Sequence, residues 1–260
     1  MLIAGGAVLC LTLLVVLAAS FRSRNQLVPA PLVTTPRPVA AVPKVVTAPK
    51  QGAPVSAGPR FLDPRQGGTV AYAQGDYAAA IDGYRRAVEA NPNDADSLNN
   101  LGQVLARTGS PAEAIQYLQR AIKLFPNVWA YRFNLAHAHG QLGDWVHAVT
   151  EYRSAQSLFP DDYVTEFNLA TALHKQGRED EAVVGYQKAI SLAPGESSFH
   201  LSLGLSYENL NRSKDAVESY RRYLELAPEA PDAQQVKERI EALTEPVSAD
   251  GNPARPLAKG

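Results

Sequence analysis

Small and apolar residues recur along residues 61–230 with a period of 34, and this pattern predicts the secondary structure of most of the chain. Alanine occupies one position in every period, as Ala80, Ala114, Ala148, Ala182 and Ala216. A large residue follows four positions later each time, as Tyr84, Leu118, Tyr152, Tyr186 and Tyr220. A fixed period of this length is typical of one folding unit that is copied along the chain. The pattern therefore predicts tandem repeats that share a continuous core.

Turn and stop signals divide each period into two helices. Residues that readily adopt the left-handed conformation ending a helix stand at one fixed position, as Gly75, Gly109, Gly143, Gly177 and Asn211. Proline stands later in every period, as Pro92, Pro126, Pro160, Pro194 and Pro228. A proline cannot continue a helix, and it pushes the residue before it out of helical geometry. Each unit is therefore predicted to be helix, turn, helix.

This order of small residue, glycine, alanine, aromatic residue, alanine and proline resembles the tetratricopeptide repeat (TPR) family. The resemblance covers five units, at residues 61–94, 95–128, 129–162, 163–196 and 197–230. It implies an all-α, right-handed superhelical solenoid of five helical hairpins, with a concave face lined by the first helix of each hairpin. Pro64, Gly67 and Gly68 stand where a leucine-rich first helix is usual, so we expect the opening turn of the first unit to be short or frayed.

The segments that flank the repeats have different patterns. Val236, Ile240 and Leu243 recur at helical spacing in a polar stretch, which predicts a capping helix over residues 231–243. The remaining residues, 244–260, are rich in proline and glycine and are predicted to be a disordered tail.

The N-terminal segment is predicted to reach a membrane. Residues 2–21 carry no charge and are about 20 residues long, enough to cross a bilayer as a helix. We predict that residues 1–24 are a single-pass transmembrane anchor or an uncleaved signal. A cleaved signal peptide is the alternative, because Ala18, Ala19 and Ser20 offer small residues for cleavage.

Residues 25–60 are rich in proline, alanine and valine, and they are predicted to form a disordered linker that holds the repeats away from the bilayer. Arg22, Arg24 and Arg37 follow the apolar segment, whereas no basic side chain precedes it. This asymmetry favours a cytoplasmic repeat domain. The linker resembles spacers of bacterial envelope proteins, so a periplasmic or other extracytoplasmic location stays open.

The net charge and the single cysteine exclude some classes of function and suggest no additional one. A net charge of -1 gives no basic surface for nucleic acid, so we predict no nucleic-acid partner. Cys10 lies in the apolar segment, which excludes a disulfide framework in the repeats. No phosphate-binding loop, nucleophile elbow or metalloprotease motif is present, and we predict neither enzymatic activity, a cofactor nor a small-molecule substrate.

The five histidines do not form a metal-binding motif in the sequence. His137 and His139 are two residues apart, a spacing that points side chains in different directions on a helix. His147, His174 and His200 fall in three other predicted helices. We therefore predict no metal site.

Asparagine recurs on the predicted inner face, as Asn100, Asn134 and Asn168. An amide can pair with both the N–H and the C=O of an extended peptide. The series is similar to the asparagines in the repeat domain of O-linked N-acetylglucosamine transferases, which implies peptide binding. Neighbouring candidates for ligand contact are Asn99, Gln103, Arg107, Phe133, His137, Gln141, Phe167, Thr171 and Lys175. The alternative is that the asparagines bond to neighbouring backbone within the stack.

These observations favour a membrane-tethered adaptor that binds a peptide segment or a helix of a partner protein in its concave groove and organises a complex. The alternative is a structural subunit that self-associates or packs edge to edge in a larger membrane or envelope assembly. That alternative would use aromatic residues such as Trp129, Trp145 and Tyr163.

Overall fold

A computed structural model describes residues 63–244, which form eleven α-helices and no strand. The helices are α1 (Pro64–Ala73), α2 (Tyr77–Ala90), α3 (Ala95–Arg107), α4 (Pro111–Leu124), α5 (Trp129–Gln141), α6 (Trp145–Leu158), α7 (Tyr163–Lys175), α8 (Glu179–Leu192), α9 (Ser197–Asn209), α10 (Ser213–Leu226) and α11 (Ala233–Thr244). The prediction of an all-α fold is confirmed. The predicted anchor, 1–24, the linker, 25–60, and nearly all of the tail, 244–260, lie outside the described residues.

The first ten helices are arranged as five hairpins. Within each hairpin the two helices pack against each other, α1 on α2 through α9 on α10. Helix α1 has 10 residues, whereas the first helices of the other hairpins have 13, so the first unit is shortened at its start, where a short or frayed opening turn was expected. None of the helices within residues 63–244 combines the length and the apolar character that crossing a bilayer requires.

The turn inside each hairpin has the predicted backbone geometry. The φ angles at the four turn glycines are positive, between +74° at Gly143 and Gly177 and +88° at Gly109. Asn211 takes the same role in the last hairpin with a φ of 58°. A left-handed residue lets the chain reverse directly after the helix, which favours glycine or asparagine at this position.

Each second helix ends two residues before its proline. Helix α4 ends at Leu124, and Phe125, directly before Pro126, has φ -135° and ψ 89°. The other residues before the repeat prolines are likewise extended, because the proline ring clashes with a helical conformation at the preceding residue. The prolines therefore set the boundary between successive hairpins.

The described residues divide into two compact units, with helices α1–α8 in one and helices α9–α11 in the other. In the first unit the repeated alanines pack inside the hairpins with almost no exposed surface, and Tyr152 and Tyr186 are fully buried. The two helices of a hairpin approach each other closely, which explains why small residues lie opposite the large buried side chains. A Cβ atom added at Gly102 would lie 2.6 Å from Cγ of Leu118.

The second unit repeats this arrangement around Tyr220, which is fully buried against Gly204. Helix α11 packs on α10, and Val236 has no exposed surface. Arg239 Nε donates a hydrogen bond of 2.5 Å to Glu208 Oε2 on α9, which attaches the polar side of α11 to the same unit. Helix α11 begins two residues later and ends one residue later than the capping helix predicted over 231–243.

Candidate functional site

A small open pocket lies on the face formed by the first helices of the first unit. Helix α3 contacts α5, and α5 contacts α7, so side chains of successive hairpins meet there. The pocket is shallow and opens to solvent, and we call it the first-helix pocket. Its lining residues are Tyr72, Gln103, Ala106, Arg107, Phe133, Asn134 and His137. Five of these seven were predicted from the sequence as ligand contacts.

Arg107 supplies a positive charge at the pocket. Its Nε donates a 2.8 Å hydrogen bond to the hydroxyl of Tyr77, and its guanidinium carbon lies 5.1 Å from the centre of that ring. Among the described residues no carboxylate forms an ion pair with Arg107. The side chain is exposed, so its charge stays available to an incoming ligand.

His137 forms a neutral part of the pocket wall. Only 8% of its surface is exposed. Burial, followed by the nearby positive charge of Arg107, lowers the pKa of His137 to about 4. The imidazole is therefore uncharged near neutral pH, and it can both donate and accept a hydrogen bond. The pocket thus combines aromatic surface, amide groups and a single cation.

The asparagine series does not form a uniform row of free amides. Asn134 Nδ2 donates a 2.8 Å hydrogen bond to Asn99 Oδ1, and Asn99 Nδ2 donates a 3.2 Å bond to Asn100 Oδ1. Asn168 is fully buried, whereas Asn100 is half-buried. The side-chain amides of α3 and α5 therefore bond to each other, whereas the alternative raised from the sequence was a bond to neighbouring backbone. Contact of these asparagines with a peptide stays a prediction, and Asn100 is the most accessible of the three.

The remaining predicted residues separate into core and surface. Phe167 has no exposed surface and lies 5.5 Å, centre to centre, from the ring of Tyr186. Thr171 Oγ1 donates to the carbonyl oxygen of Phe167 at 2.9 Å, also in the interior. These two residues therefore support the face from behind and present no surface to a ligand. Gln141 and Lys175 are exposed at the ends of α5 and α7.

Two tyrosines of the first hairpin were missed by the sequence analysis. Tyr72 lines the pocket, and Tyr77 holds Arg107. Their rings lie 5.8 Å apart, centre to centre, at the turn between α1 and α2. The signal that could have found them is their position beside the turn glycine, Gly75, which brings the end of a first helix close to the start of its second helix.

A second polar cluster forms at the turn between α5 and α6. His139, Asp144 and His147 place ligand atoms within 4.8 Å of one another. In the sequence these two histidines are separated by seven residues and fall in different predicted helices, so they were not grouped. The chain reverses at Gly143, which brings both imidazoles close to the carboxylate of Asp144. These three residues could therefore hold a metal ion.

The aromatic residues considered for self-association are partly packed inside the first unit. The ring of Trp129 stacks on Phe159 at 5.3 Å, centre to centre. Trp145 and Tyr163 are half-buried, and the backbone oxygen of Trp145 accepts a 2.7 Å bond from Gln176. The ring of Trp129 therefore packs in the hairpin stack, and Trp145 contributes a backbone contact to it.

Comparison with known families identifies the repeats. Two family models, both described as tetratricopeptide repeat, match the chain, one at residues 66–128 and 133–197 and the other at residues 197–229. The matched segments together span more than half of the 260 residues and coincide with the five hairpins. The chain belongs to the tetratricopeptide repeat family.

Several solved structures share this fold. The MamA protein is 25% identical, with a TM-score of 0.59 over 66% of this chain and 92% of that chain. MamA from residue 41 to its end, from Desulfovibrio magneticus RS-1, is 20% identical, with a TM-score of 0.61 over 65% and 95%. YrrB, described as a TPR protein with an unusual peptide-binding site, is 18% identical, with a TM-score of 0.59 over 66% and 88%. A search of curated protein sequences gives no match.

Proposed function

We propose that this chain is a non-enzymatic adaptor that binds an extended segment or a helix of a partner protein against the first helices α3 and α5. The observation that carries the proposal is the first-helix pocket, where Arg107 is exposed beside the neutral imidazole of His137. A cation without an ion-pair partner, next to amide and aromatic groups, is suited to polar recognition of a polypeptide.

The accessible residues on this face support peptide binding more than binding of a compact small molecule. Asn100, Gln103 and Arg107 lie along α3 at intervals of three and four residues, so they share one face of the helix. A ligand that contacts all three must extend along about two helical turns, or roughly 10 Å. At 18% identity the likeness to YrrB shows a shared fold alone, and peptide binding by this chain is inferred from its own pocket.

The proposal includes attachment of the repeats to a membrane through the apolar residues 2–21, with residues 25–60 as a spacer. Fractionation of cells that express the full chain tests the attachment. We expect the chain in the membrane pellet, resistant to extraction at alkaline pH, and a variant without residues 2–21 in the supernatant. Protease digestion of intact cells then determines on which side of the bilayer the repeats lie.

Loss of pocket side chains tests the proposed ligand face. Full-length protein that carries both Gln103→Ala and Arg107→Ala is compared with wild type by quantitative co-purification from native membranes. The matched control is Arg86→Ala on α2, because Arg86 is exposed and pairs only with Asp82 on its own helix among the described residues. We expect the pocket variant to lose its partner at least about tenfold and the control to retain it. Equal recovery with both variants would remove the pocket from the function.

The alternative, edge-to-edge association of repeats, is supported by apolar side chains on second helices. Val146 on α6 is 68% exposed, and Val184 on α8 is 65% exposed. Mass measurement in detergent tests this alternative: wild type would form oligomers that Val146→Lys or Val184→Lys dissociates. A strict monomer at micromolar concentration would exclude it.

A further inference from the structure

The turn between α5 and α6 contains a convergent set of nitrogen and oxygen ligands away from the first-helix pocket. Asp144 Oδ2 lies 3.1 Å from His139 Nδ1 and 2.7 Å from His147 Nδ1. The two imidazole rings stack with centres 5.0 Å apart and planes 24° apart. A single carboxylate oxygen therefore faces two imidazole nitrogens.

Comparison among the repeats shows that this set is specific to the third hairpin. The other repeats hold an apolar or aromatic residue at the position of His139, namely Ala71, Leu105, Leu173 and Tyr207. They hold alanine or an acidic residue at the position of His147, namely Ala79, Glu113, Glu181 and Asp215. The hairpin fold therefore requires neither histidine, and both occur in one repeat that also has an aspartate between them.

The backbone holds the aspartate in place between the two helices. Asp144 precedes α6, and its Oδ1 accepts a 3.3 Å bond from the backbone N–H of His147, which caps the helix. Its own N–H donates to the carbonyl oxygen of His139 at 3.0 Å, which closes the turn after α5. With Oδ1 used by the cap, Oδ2 is directed at the histidines. Rigid placement of this kind lowers the entropic cost of binding an ion.

We propose that His139, Asp144 and His147 bind a divalent transition-metal ion, with Zn²⁺ as the probe that fits them best. Two imidazoles and one carboxylate are a common ligand set for zinc, and three protein ligands leave one tetrahedral position for water or for a donor from another molecule. Imidazole nitrogen selects Zn²⁺ and neighbouring transition metals over Mg²⁺ and Ca²⁺, which prefer oxygen ligands.

The distances suit an ion of this size. With metal–ligand bonds of about 2.0–2.2 Å, neighbouring ligand atoms of a tetrahedral site lie about 3.3 Å apart. To reach that value, the 3.1 Å distance from His139 lengthens by about 0.2 Å and the 2.7 Å distance from His147 by about 0.6 Å. His147 can make the adjustment because its side chain is 66% exposed, whereas the side chain of His139 is 12% exposed and fixed in the hairpin.

The next hairpin supplies a natural control. His174 Nδ1 lies 2.9 Å from Glu179 Oε2, so an imidazole meets a carboxylate across the turn between α7 and α8 as well. Within residues 63–244, no third histidine, cysteine or carboxylate lies close enough to that pair to complete a set of three metal ligands. If the contacts at Asp144 only tie the two helices together, the two turns should respond to metal in the same way.

Titration of the full-length chain with ZnCl₂, in detergent and without a polyhistidine tag, tests the proposal. Isothermal calorimetry gives the stoichiometry and affinity, and visible absorption of added Co²⁺ reports tetrahedral coordination. We expect one ion per chain. The variants His147→Ala and Asp144→Asn should each weaken binding at least about tenfold, because each removes a ligand. Asparagine retains the helix cap, so the second variant stays folded.

The control variant His174→Gln should bind Zn²⁺ as wild type does. Absence of one-to-one binding, or equal affinity of wild type, His147→Ala and Asp144→Asn with unchanged helical content, would overturn the metal site. The result is independent of the peptide-binding proposal, because none of the three ligands lines the first-helix pocket.

Discussion

Asn134 of α5 donates a hydrogen bond from its Nδ2 to Oδ1 of Asn99 of α3, across 2.8 Å. The two residues are 35 apart in sequence, one more than the repeat period. The bond therefore crosses between neighbouring hairpins and joins different columns of the repeat. Because Asn99 in turn donates to Asn100, the three amides form a chain that ends at the accessible side of α3.

We predict that Asn134→Ala destabilises the fold by about 1–3 kcal/mol, because it leaves the Oδ1 of the buried Asn99 without its donor. The measurement is urea denaturation. A double-mutant cycle with Asn99→Ala isolates the pair, and we expect a coupling of about 1 kcal/mol. Strictly additive single and double variants would show that the bond contributes nothing.

The buried histidine of the pocket predicts a pH dependence of stability. Burial, and secondarily Arg107, lowers the pKa of His137 from 6.5 to about 4 in the folded chain. The unfolded chain therefore binds this proton first as the pH falls. The contribution of His137 to stability is complete above pH 6.5 and is lost between pH 6.5 and about 4, by up to about 3 kcal/mol.

Variants at the pocket check this assignment. The slope of unfolding free energy against pH in this window should be shallower in His137→Gln than in wild type, because the variant has no group to protonate. In Arg107→Gln the lower end of the window should move toward higher pH and the loss of stability should be smaller, since removal of a nearby positive charge raises the pKa of His137 in the folded chain. A His137→Gln slope equal to that of wild type would contradict the assignment.

Two glycines of the first hairpin should respond to alanine with opposite signs. A Cβ atom added at Gly83 would lie 2.7 Å from the backbone nitrogen of Gly68, and backbone atoms cannot move aside without separating α1 from α2. A Cβ atom at Gly67 would have nothing within 4 Å. We predict that Gly83→Ala costs about 1–3 kcal/mol and that Gly67→Ala stabilises by up to about 1 kcal/mol. Thermal denaturation distinguishes them, and equal effects would refute the close packing of α1 on α2.

Two fully buried tyrosines form a matched pair for a test of hydrogen bonding. The hydroxyl of Tyr186 donates to Thr171 Oγ1 at 3.3 Å, whereas the hydroxyl of Tyr152 has no partner among the described residues. Tyr186→Phe should therefore cost about 0.5–1.5 kcal/mol, and Tyr152→Phe should be neutral or stabilising. Denaturation midpoints measure the difference. A larger loss at Tyr152 than at Tyr186 would show that the hydroxyl of Tyr152 is satisfied.

The repeat period made the hairpins predictable. Alanine, glycine and proline at fixed positions reflect close helix contact, a left-handed turn and a helix stop, and each of these has one dominant physical cause. The same reasoning placed Gln103, Arg107 and His137 on a common face, and the structure brings all three to one pocket. Which of them contacts a ligand stays a prediction.

Contacts between hairpins were harder to predict, because they depend on the angle at which helices cross and on side-chain conformation. The column of asparagines recurs every 34 residues, whereas the observed bond joins Asn99 to Asn134, which lie 35 residues apart. The packing of Phe167 and Asn168 into the interior likewise follows from which side of α7 faces α8. The cluster around Asp144 could not be predicted from a regular spacing. Its two histidines are brought together by the chain reversal at Gly143.

Photo-crosslinking in living cells tests the central claim most directly. A photoreactive amino acid replaces Gln103 on α3 in one full-length variant and the exposed Val184 on α8 in another. The account predicts a discrete protein adduct from position 103 that is absent from position 184 and is lost when Arg107→Ala is added. The same adducts from both positions, or no adduct from position 103 in a folded chain, would contradict it.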